Sequence, residues 1–166
     1  MSEDLSPNKK RLVGGFFALL LFLCLPETTK ADQMLSTKDR ISLVQTWYQT
    51  MNYDLLADEL DWRHAPGFFG GEILTSRDQV EKQLAPFYFQ VFDNISVEID
   101  RIEASEASVF SFGTYVLTPK NSSKVTRAPF LHVWRVNEEG RLAGLVQYAD
   151  TLLINDALRS GRVLLR

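Results

Sequence analysis

The sequence predicts an α+β domain in which helices come first and an antiparallel meander of strands follows. Two apolar stripes at helical spacing lie between residues 37 and 91, and four segments rich in β-branched and aromatic residues lie between 95 and 151. The last two of these segments are separated only by Asn137-Glu138-Glu139-Gly140, which is typical of a hairpin turn. Helices gathered before antiparallel strands indicate a layered domain, with the helices covering one face of the sheet.

The first helix is predicted to begin at the capping signal Ser36-x-x-Asp39. Its apolar residues recur every three or four positions, at Ile41, Val44, Tyr48, Met51 and Leu55. Trp47 widens this stripe, so Trp47 and Tyr48 belong to the core by default, and either could form the floor of a pocket. We expect Asn52 or Asp54 to cap a short second helix over residues 55–60.

A short strand, Leu60 to His64, is predicted next. It ends at Ala65-Pro66-Gly67, because proline cannot continue a strand ladder and glycine permits a turn. Phe68 and Phe69 then stand in a loop followed by two glycines. We expect these two rings to form a lid over a pocket, or alternatively to pack on the core or at a dimer contact.

A third helix is predicted to begin at Ser76, where Gln79 completes a capping box. Pro86 lies within its apolar stripe and is expected to kink the helix or divide it. The four strands that follow are predicted at residues 95–99, 108–118, 125–136 and 141–151. Leu152 to Leu158 is an apolar tail with room for a helical turn or more.

The N-terminal segment has the composition of a secretory signal peptide. A basic cluster at residues 9–11 precedes the uncharged apolar run Leu12 to Leu25, which is shorter than the about 20 residues that cross a bilayer. Thr29-Lys30-Ala31 then offers a cleavage site of the small-x-small type. We therefore expect a secreted or periplasmic protein. The alternative is an uncleaved segment that anchors the chain to a membrane.

Cleavage after Ala31 divides the chain into a signal peptide (residues 1–31), one domain (32–158) and a short tail (159–166). The single cysteine, Cys24, lies in the apolar run, so the domain has neither disulfides nor a thiol nucleophile. The net charge of −3 and the lack of a basic cluster in the domain argue against nucleic-acid binding. We expect no membrane span after cleavage.

Four short motifs give the chain a resemblance to a known family. They are Asp61-Trp62-Arg63-His64-Ala65-Pro66-Gly67, Ser76-Arg77-Asp78-Gln79-Val80, His132-Val133-Trp134 and Tyr148-Ala149-Asp150-Thr151. With the order of predicted elements, they make residues 37–158 resemble the SnoaL-like group of the nuclear transport factor 2-like superfamily. That superfamily also holds ketosteroid isomerases, polyketide cyclases and limonene epoxide hydrolases.

The resemblance implies a cone, or cystatin-like α+β roll. In this fold a strongly curved antiparallel sheet wraps around N-terminal helices and leaves a pocket at its open end. It also implies a homodimer formed through the sheet. Fold alone does not give the activity, because this superfamily mixes enzymes, binding modules and subunits that only dimerise.

The resemblance to ketosteroid isomerases is incomplete at the site. Those enzymes carry a carboxylate base just before a Pro-x-Gly turn at the end of the first strand, and here His64 stands near that place. Tyr48 lies on the helix that carries their oxyanion tyrosine, but Trp47 could equally take its position. Their acid on a strand has no secure match, and the Asp-Arg-Asp set of limonene epoxide hydrolases is not assembled either.

His64 and His132 are the only histidines, and an imidazole can act as a base near neutral pH. If the chain is an enzyme, we expect His64 to be the base in proton transfer beside a carbonyl. His132 and Tyr148 would then donate hydrogen bonds to the developing oxyanion, and Asp150 would orient a histidine. The structural alternatives are hydrogen-bonded histidines in the core or rim, a packing role for Tyr148, and an Asp150 that caps the tail helix.

The expected pocket lining is aromatic. It comprises Trp47, Tyr48, Phe68, Phe69, Phe130 and Trp134. Phe130, His132 and Trp134 share one face of their strand, and Tyr148 and Asp150 share one face of the next strand. The turn at Asn137 to Gly140 decides whether those faces coincide, since a shift of one residue reverses them.

The function predicted from these observations is the binding of a small hydrophobic molecule, with isomerisation or cyclisation as the reaction if there is one. The alternatives are a non-catalytic binding module and a protein-interaction domain whose pocket is filled by its own side chains. No cofactor is expected. No metal site is expected either, because two distant histidines without cysteine do not match any metal-ligand spacing.

Overall fold

A six-stranded sheet is the framework of the part of the chain that the computed structural model describes, residues 35–69, 71 and 73–161. The strands are β1 (Leu56–Arg63), β2 (Ile73–Ser76), β3 (Phe92–Ala104), β4 (Val109–Pro119), β5 (Thr126–Val136) and β6 (Leu142–Ala149). The helices are α1 (Thr37–Thr50), α2 (Arg77–Gln79), α3 (Ala85–Val91) and α4 (Thr151–Ser160). The predicted signal peptide, residues 1–31, lies outside the described residues.

The strand order β2-β1-β6-β5-β4-β3 confirms the predicted α+β class. Strands β3 to β6 form the predicted antiparallel meander, and the sheet is strongly curved and not closed. The sheet is mixed rather than wholly antiparallel, because β1 pairs with β6 in parallel. The helices pack against the sheet, which gives the cone that the resemblance implied.

Local sequence sets the start of α1 as predicted. The Ser36 side chain accepts a hydrogen bond from the Asp39 backbone N–H, which satisfies one of the free donors at the helix start. The helix ends at Met51, whose φ of 48° is left-handed. Met51 therefore terminates the apolar stripe rather than extending it toward Leu55.

The predicted short helix over residues 55–60 is wrong. Asn52 caps only a single 3-10 turn, Tyr53–Leu55, and β1 begins at Leu56. This segment is a strand because β1 lies between two partners in the sheet, β2 and β6. Pairing with distant segments thus overrides the helical preference of Leu-Ala-Asp-Glu-Leu.

Ser76 caps the next helical segment as predicted, by accepting a hydrogen bond from the Gln79 backbone N–H. Pro86 neither breaks this segment nor ends it. A π-helical turn, Val80–Leu84, joins α2 to α3 and places Pro86 near the start of α3. Proline is tolerated in the first turn of a helix because a backbone N–H at that position has no partner within the helix, so its absence loses no hydrogen bond.

Two clusters of buried side chains occupy the inside of the curved sheet. One is centred on Val44, Trp47 and Trp134, between α1 and the sheet. The other is centred on Phe92, Leu117 and Ile154, toward α3 and α4. None of the helices in the described ranges is long and apolar enough to cross a membrane.

Candidate ligand-binding site

A cavity of about 380 Å³ opens on the concave side of the sheet, between α1, α3, β1 and strands β3 to β6. Its size lies within the about 300–1,000 Å³ that is typical of small-molecule sites. Its lining is mostly apolar and aromatic. The lining residues are Trp47, Tyr48, Met51, Tyr53, Trp62, Ala85, Tyr88, Phe89, Ile95, Ser96, Val97, Tyr115, His132, Trp134, Leu145 and Gln147.

Two other hollows are less suited to an apolar ligand. One, of about 490 Å³, is an open depression beside Arg40 that is bordered by Glu106, Glu138 and Glu139. The other, of about 420 Å³, also contacts Tyr48, but it is open and more of its lining is polar than apolar. The aromatic cavity is more enclosed than either, so it is the candidate site.

One wall of the cavity is a cluster of the three tryptophans of the chain. Trp62 and Trp134 meet edge to face at 5.6 Å between ring centroids, and Trp47 lies 6.1 and 6.0 Å from them. Edge-to-face contacts at these distances are favourable. The cluster gives a ligand a broad and rigid aromatic surface.

A chain of hydrogen bonds forms the polar end of the cavity, centred on His132. The Tyr48 hydroxyl lies 2.7 Å from Nδ1 of His132, and the Tyr115 hydroxyl lies 2.7 Å from its Nε2. Trp134 donates its indole N–H to the Tyr48 oxygen at 3.1 Å. Gln147 donates its amide to the Tyr115 oxygen at 2.5 Å. The chain thus crosses from α1 through β5 and β4 to β6.

Burial keeps the groups of this chain uncharged. It lowers the pKa of His132 to about 3, and the neighbouring His64 imidazole adds to that effect. Burial also raises the pKa of the Tyr48 and Tyr115 hydroxyls. The side chains of Ser111 and Trp134 beside Tyr48, and of Gln147 beside Tyr115, partly oppose that effect. At neutral pH the polar end is therefore a neutral imidazole between two neutral phenols.

The hairpin turn places Gln147, and not Tyr148, on the cavity side of β6. His132 pairs with Gln147 across the β5–β6 ladder, and residues paired in this way project from the same face. Tyr148 pairs with Leu131 on the opposite face, where its side chain is 54% exposed. Tyr148 therefore cannot contact a ligand in this cavity.

Asp150 is likewise outside the site. Its carboxylate accepts the Leu153 backbone N–H at 3.0 Å and caps α4, which is the structural alternative considered for it. No hydrogen bond joins Asp150 to His64 or His132 among the described residues. The Asp–His pairing predicted from sequence is not brought together.

His64 contacts a residue that lines the cavity but does not line the cavity itself. It follows the end of β1, stacks on Phe68 at 5.2 Å, and lies 3.3 Å from the hydroxyl of Tyr88 through its Nε2. Tyr88 itself lines the cavity. The two histidines thus reach the cavity differently, His132 directly and His64 through Tyr88.

The six predicted pocket residues fall into three groups. Trp47, Tyr48 and Trp134 line the cavity. Phe68 and Phe69 are only 6% and 4% exposed and pack in the core, so they do not form the predicted lid. Packing on the core was the alternative considered for them. Phe130 is buried and is not among the residues that line the cavity, but it stacks on His132 at 4.2 Å between ring centroids.

Sequence reasoning missed Tyr115, Gln147 and Tyr88. A signal for Tyr115 exists in β4, where Ser111, Gly113 and Tyr115 alternate with the larger apolar Phe110 and Phe112. Ser111, Gly113 and Tyr115 are buried whereas the two phenylalanines are only partly buried, so this strand directs the series that contains Tyr115 inward. Gln147 could not be assigned because the register of its hairpin was open.

Solved structures with the same fold share this architecture. An NTF2-like protein from Burkholderia thailandensis superimposes with a TM-score of 0.67 at 20% identity, covering 75% of this chain and 98% of that protein. A protein described as a SnoaL-like polyketide cyclase from Jannaschia gives a TM-score of 0.62 at 10% identity, with coverages of 76% and 96%. An epoxide hydrolase of the LEH-like type from M. tuberculosis gives 0.56 at 20%, with coverages of 76% and 94%.

No protein-family model matches the sequence, and no curated protein matches it. The structural likeness is nevertheless extensive, because it includes nearly the full length of each of these neighbours. Identities of 10–20% establish the fold and leave the activity open. The chain therefore has the nuclear transport factor 2-like fold, as the resemblance to SnoaL-like proteins predicted.

Proposed function

We propose that this chain binds a small, mostly apolar molecule in the cavity enclosed by the three tryptophans. The observation that carries the proposal is the cavity itself, which is aromatic along its walls and has one hydrogen-bonded polar end. A few placed polar groups within an apolar lining are typical of small-molecule sites. Apolar surface supplies the affinity in such a site, and the polar end orients the ligand.

Binding, rather than proton-transfer catalysis, is the activity that these side chains favour. Isomerisation or cyclisation beside a carbonyl requires a base within hydrogen-bonding reach of the substrate. Among the described lining residues there is no carboxylate, and burial lowers the pKa of His132 to about 3, which makes it a weak base. His64 is not among the described residues that line the cavity, and its Nε2 lies 3.3 Å from the hydroxyl of the lining residue Tyr88. We therefore propose a binding module of the fold.

Intrinsic fluorescence tests the proposal directly, because all three tryptophans line the cavity. Titration with naphthalene derivatives should change the emission saturably in the wild-type protein. Ala85→Phe, which fills the cavity, should weaken binding at least about tenfold, since displacing ligand volume removes buried apolar contact. Ala107→Phe, at an exposed alanine in the β3–β4 turn, is the matched control. Equal binding by both variants would contradict the proposed location.

The protein is further proposed to act outside the cytoplasm, as its N-terminal composition indicates. Expression of the full chain in a bacterium should yield a periplasmic or secreted form beginning at Asp32, measurable by intact mass. A full-length chain recovered only with membranes would favour the uncleaved anchor instead.

A homodimer formed through the sheet is the third part of the proposal. The convex face carries a contiguous outer apolar patch across β4, β5 and β6, whose side chains are partly exposed. The patch consists of Phe110, Phe112, Leu131, Val133, Val146 and Tyr148. Two ion pairs border the patch, one between Glu98 and Arg127 and one between Asp61 and Arg135. A twofold copy can match such a surface with itself.

Light scattering coupled to gel filtration tests the dimer. Leu131→Asp places a charge at the centre of the outer apolar patch, so the wild-type dimer should become a monomer. Leu152→Asp, at a 67% exposed leucine on α4, is the matched control and should leave the mass unchanged. A monomeric wild-type protein would refute the proposal.

A further inference from the structure

The aromatic cavity is closed at one end and open at the other, as the exposure of its lining residues indicates. Trp134 and Gln147 line it and are only 1% and 2% exposed, so solvent does not reach that end. Met51 and Phe89 also line it but are 53% and 69% exposed, and the lining residue Ser96 is exposed as well. A side chain that both lines a cavity and is largely exposed lies where the cavity opens. Met51, Phe89 and Ser96 therefore form the cavity rim.

The cavity rim is apolar on its helical side and polar only where β3 contributes Ser96. Met51 stands at the end of α1, and Phe89 lies in α3, four residues after the lining residue Ala85. Residues four positions apart lie on one face of a helix, so one face of α3 runs from the cavity to the rim. The Met51 thioether is flexible and the Phe89 ring is flat, so together they offer a surface that adapts to an apolar chain.

The two apolar rim residues do not contribute to either buried cluster of the fold. The other large apolar side chains that are exposed lie elsewhere in the described chain, and none of them lines the cavity. The apolar part of the rim is thus two side chains, far fewer than the roughly 20–30 residues that each partner gives to a stable protein interface. A surface of this size, continuous with the cavity lining, suits one flexible chain of a ligand.

The size of the cavity also favours a ligand that extends past the rim. Its volume of about 380 Å³ is near the lower end of the about 300–1,000 Å³ of small-molecule sites. A molecule from the upper part of that range fits only if some of it leaves by the open end. No charged side chain lines the described part of the cavity, and this includes the rim. The part of a ligand that crosses the rim is therefore uncharged, because a charge there would lose water without gaining a partner.

We infer that the ligand is longer than the cavity, with a ring system among the tryptophans and a flexible apolar chain that leaves across Met51 and Phe89. The inference rests on the proposed binding function and extends the same site to its rim. The ligand class is an aromatic or alicyclic compound that carries an alkyl chain, and not a compact ring alone. The chain gains affinity at the rim because it covers apolar surface that is otherwise in contact with water.

The test compares 2-methylnaphthalene with 2-hexylnaphthalene, which have the same ring and differ by five methylenes. A fully buried methylene raises affinity about fourfold. A chain that lies across the rim is buried on one side only, so we expect about twofold for each methylene and about thirtyfold in all. Titration of the tryptophan emission of the wild-type protein measures both affinities.

Three variants test whether the rim supplies this gain. Phe89→Ser should lower the ratio of hexyl to methyl affinity at least about fivefold, since two or three methylenes lose their apolar contact. Phe89→Leu keeps an apolar side chain and should hold the ratio within about twofold of the wild-type value. Leu152→Ser, at a 67% exposed leucine on α4 that does not line the cavity, is the matched control and should also keep the ratio. Circular dichroism checks that each variant is folded.

A polymer joined to the chain tests the direction in which the chain leaves. A long polyethylene glycol attached to the free end of the hexyl chain is too large for the cavity. If the chain end lies in solvent, this conjugate should bind within about threefold of 2-hexylnaphthalene, because the polymer adds no contact and displaces none. Loss of binding by the conjugate would place the chain end inside the protein and would overturn the inference.

The remaining outcomes separate the inference from the proposed function. Equal hexyl-to-methyl ratios in the wild-type protein and Phe89→Ser would overturn the inference and leave the binding function in place. Failure of both naphthalenes to bind the wild-type protein would overturn the binding function and the inference together. Two other occupants of the rim would also overturn the inference. Ligand-free protein that sediments with phosphatidylcholine vesicles, but not as Phe89→Ser, would assign the rim to a membrane surface. A dimer that Phe89→Ser abolishes would assign the rim to a second copy.

Discussion

Acidification should destabilise the folded chain through His132. Burial, with a smaller effect from the His64 imidazole, lowers the pKa of His132 from 6.5 to about 3. The unfolded chain therefore binds a proton at this residue that the folded chain does not bind between those two pH values. Stability from this group is fully present above pH 6.5 and is lost as the pH falls toward 3.

The magnitude follows from the pKa difference. Each pH unit below 6.5 costs about 1.4 kcal/mol until the folded pKa is reached. From this residue alone, the free energy of unfolding should fall by about 1 kcal/mol at pH 5.5 and by about 3 kcal/mol at pH 4.5. Such losses are a large part of the 5–15 kcal/mol that typically stabilises a domain.

Urea unfolding followed by tryptophan fluorescence, at pH 7.5, 5.5 and 4.5, measures this loss. His132→Gln cannot titrate, so the wild-type protein should lose about 3 kcal/mol more than this variant over that range. His64→Gln keeps His132 and is the matched control, which should retain the steep dependence. Parallel pH profiles for the wild-type protein and His132→Gln would refute the reasoning.

Three further predictions concern stability at neutral pH and are measured by the same unfolding assay. Arg40→Met should cost about 3 kcal/mol, because the buried guanidinium donates two hydrogen bonds of 2.6 Å to main-chain oxygens of the β3–β4 turn; an unchanged midpoint would contradict this. Gly113→Ala should cost at least about 2 kcal/mol, since its Cβ would collide with the Glu98 carbonyl oxygen; Gly67→Ala, which has room but a φ of +77°, gives the comparison for backbone strain without a clash. Asp150→Ala should cost about 1 kcal/mol through loss of the α4 cap, and Asp150→Asn should restore most of it.

Local sequence determined several elements of this protein by itself. The Ser36 and Ser76 caps begin their helices as predicted, because a cap depends on side chains within three residues of it. The four long strands follow the alternation of apolar and polar residues, which is also a pattern of near neighbours in sequence. The turn before Arg141 forms the predicted hairpin. These contacts are short in sequence, so a pattern of neighbouring residues contains the information.

The predictions failed at segments whose structure depends on contacts with residues far away in the sequence. Residues 56–60 form a strand only because β2 and β6 lie on either side of β1. Phe68 and Phe69 lie in the core only because α3 and β4 come together around them. The strength of such pairings depends on segments far away in the chain, and no local pattern contains it.

The site shows the same division. The sequence supplied His132, Tyr48, Trp47 and Trp134 as candidates, because polar and aromatic residues on apolar faces are visible in the pattern. Only the tertiary structure paired His132 with Gln147 instead of Tyr148, since a hairpin with a period of two reverses its faces with a shift of one residue. Burial then made His132 a neutral group at physiological pH, because the pKa of an imidazole is set by what surrounds it in space.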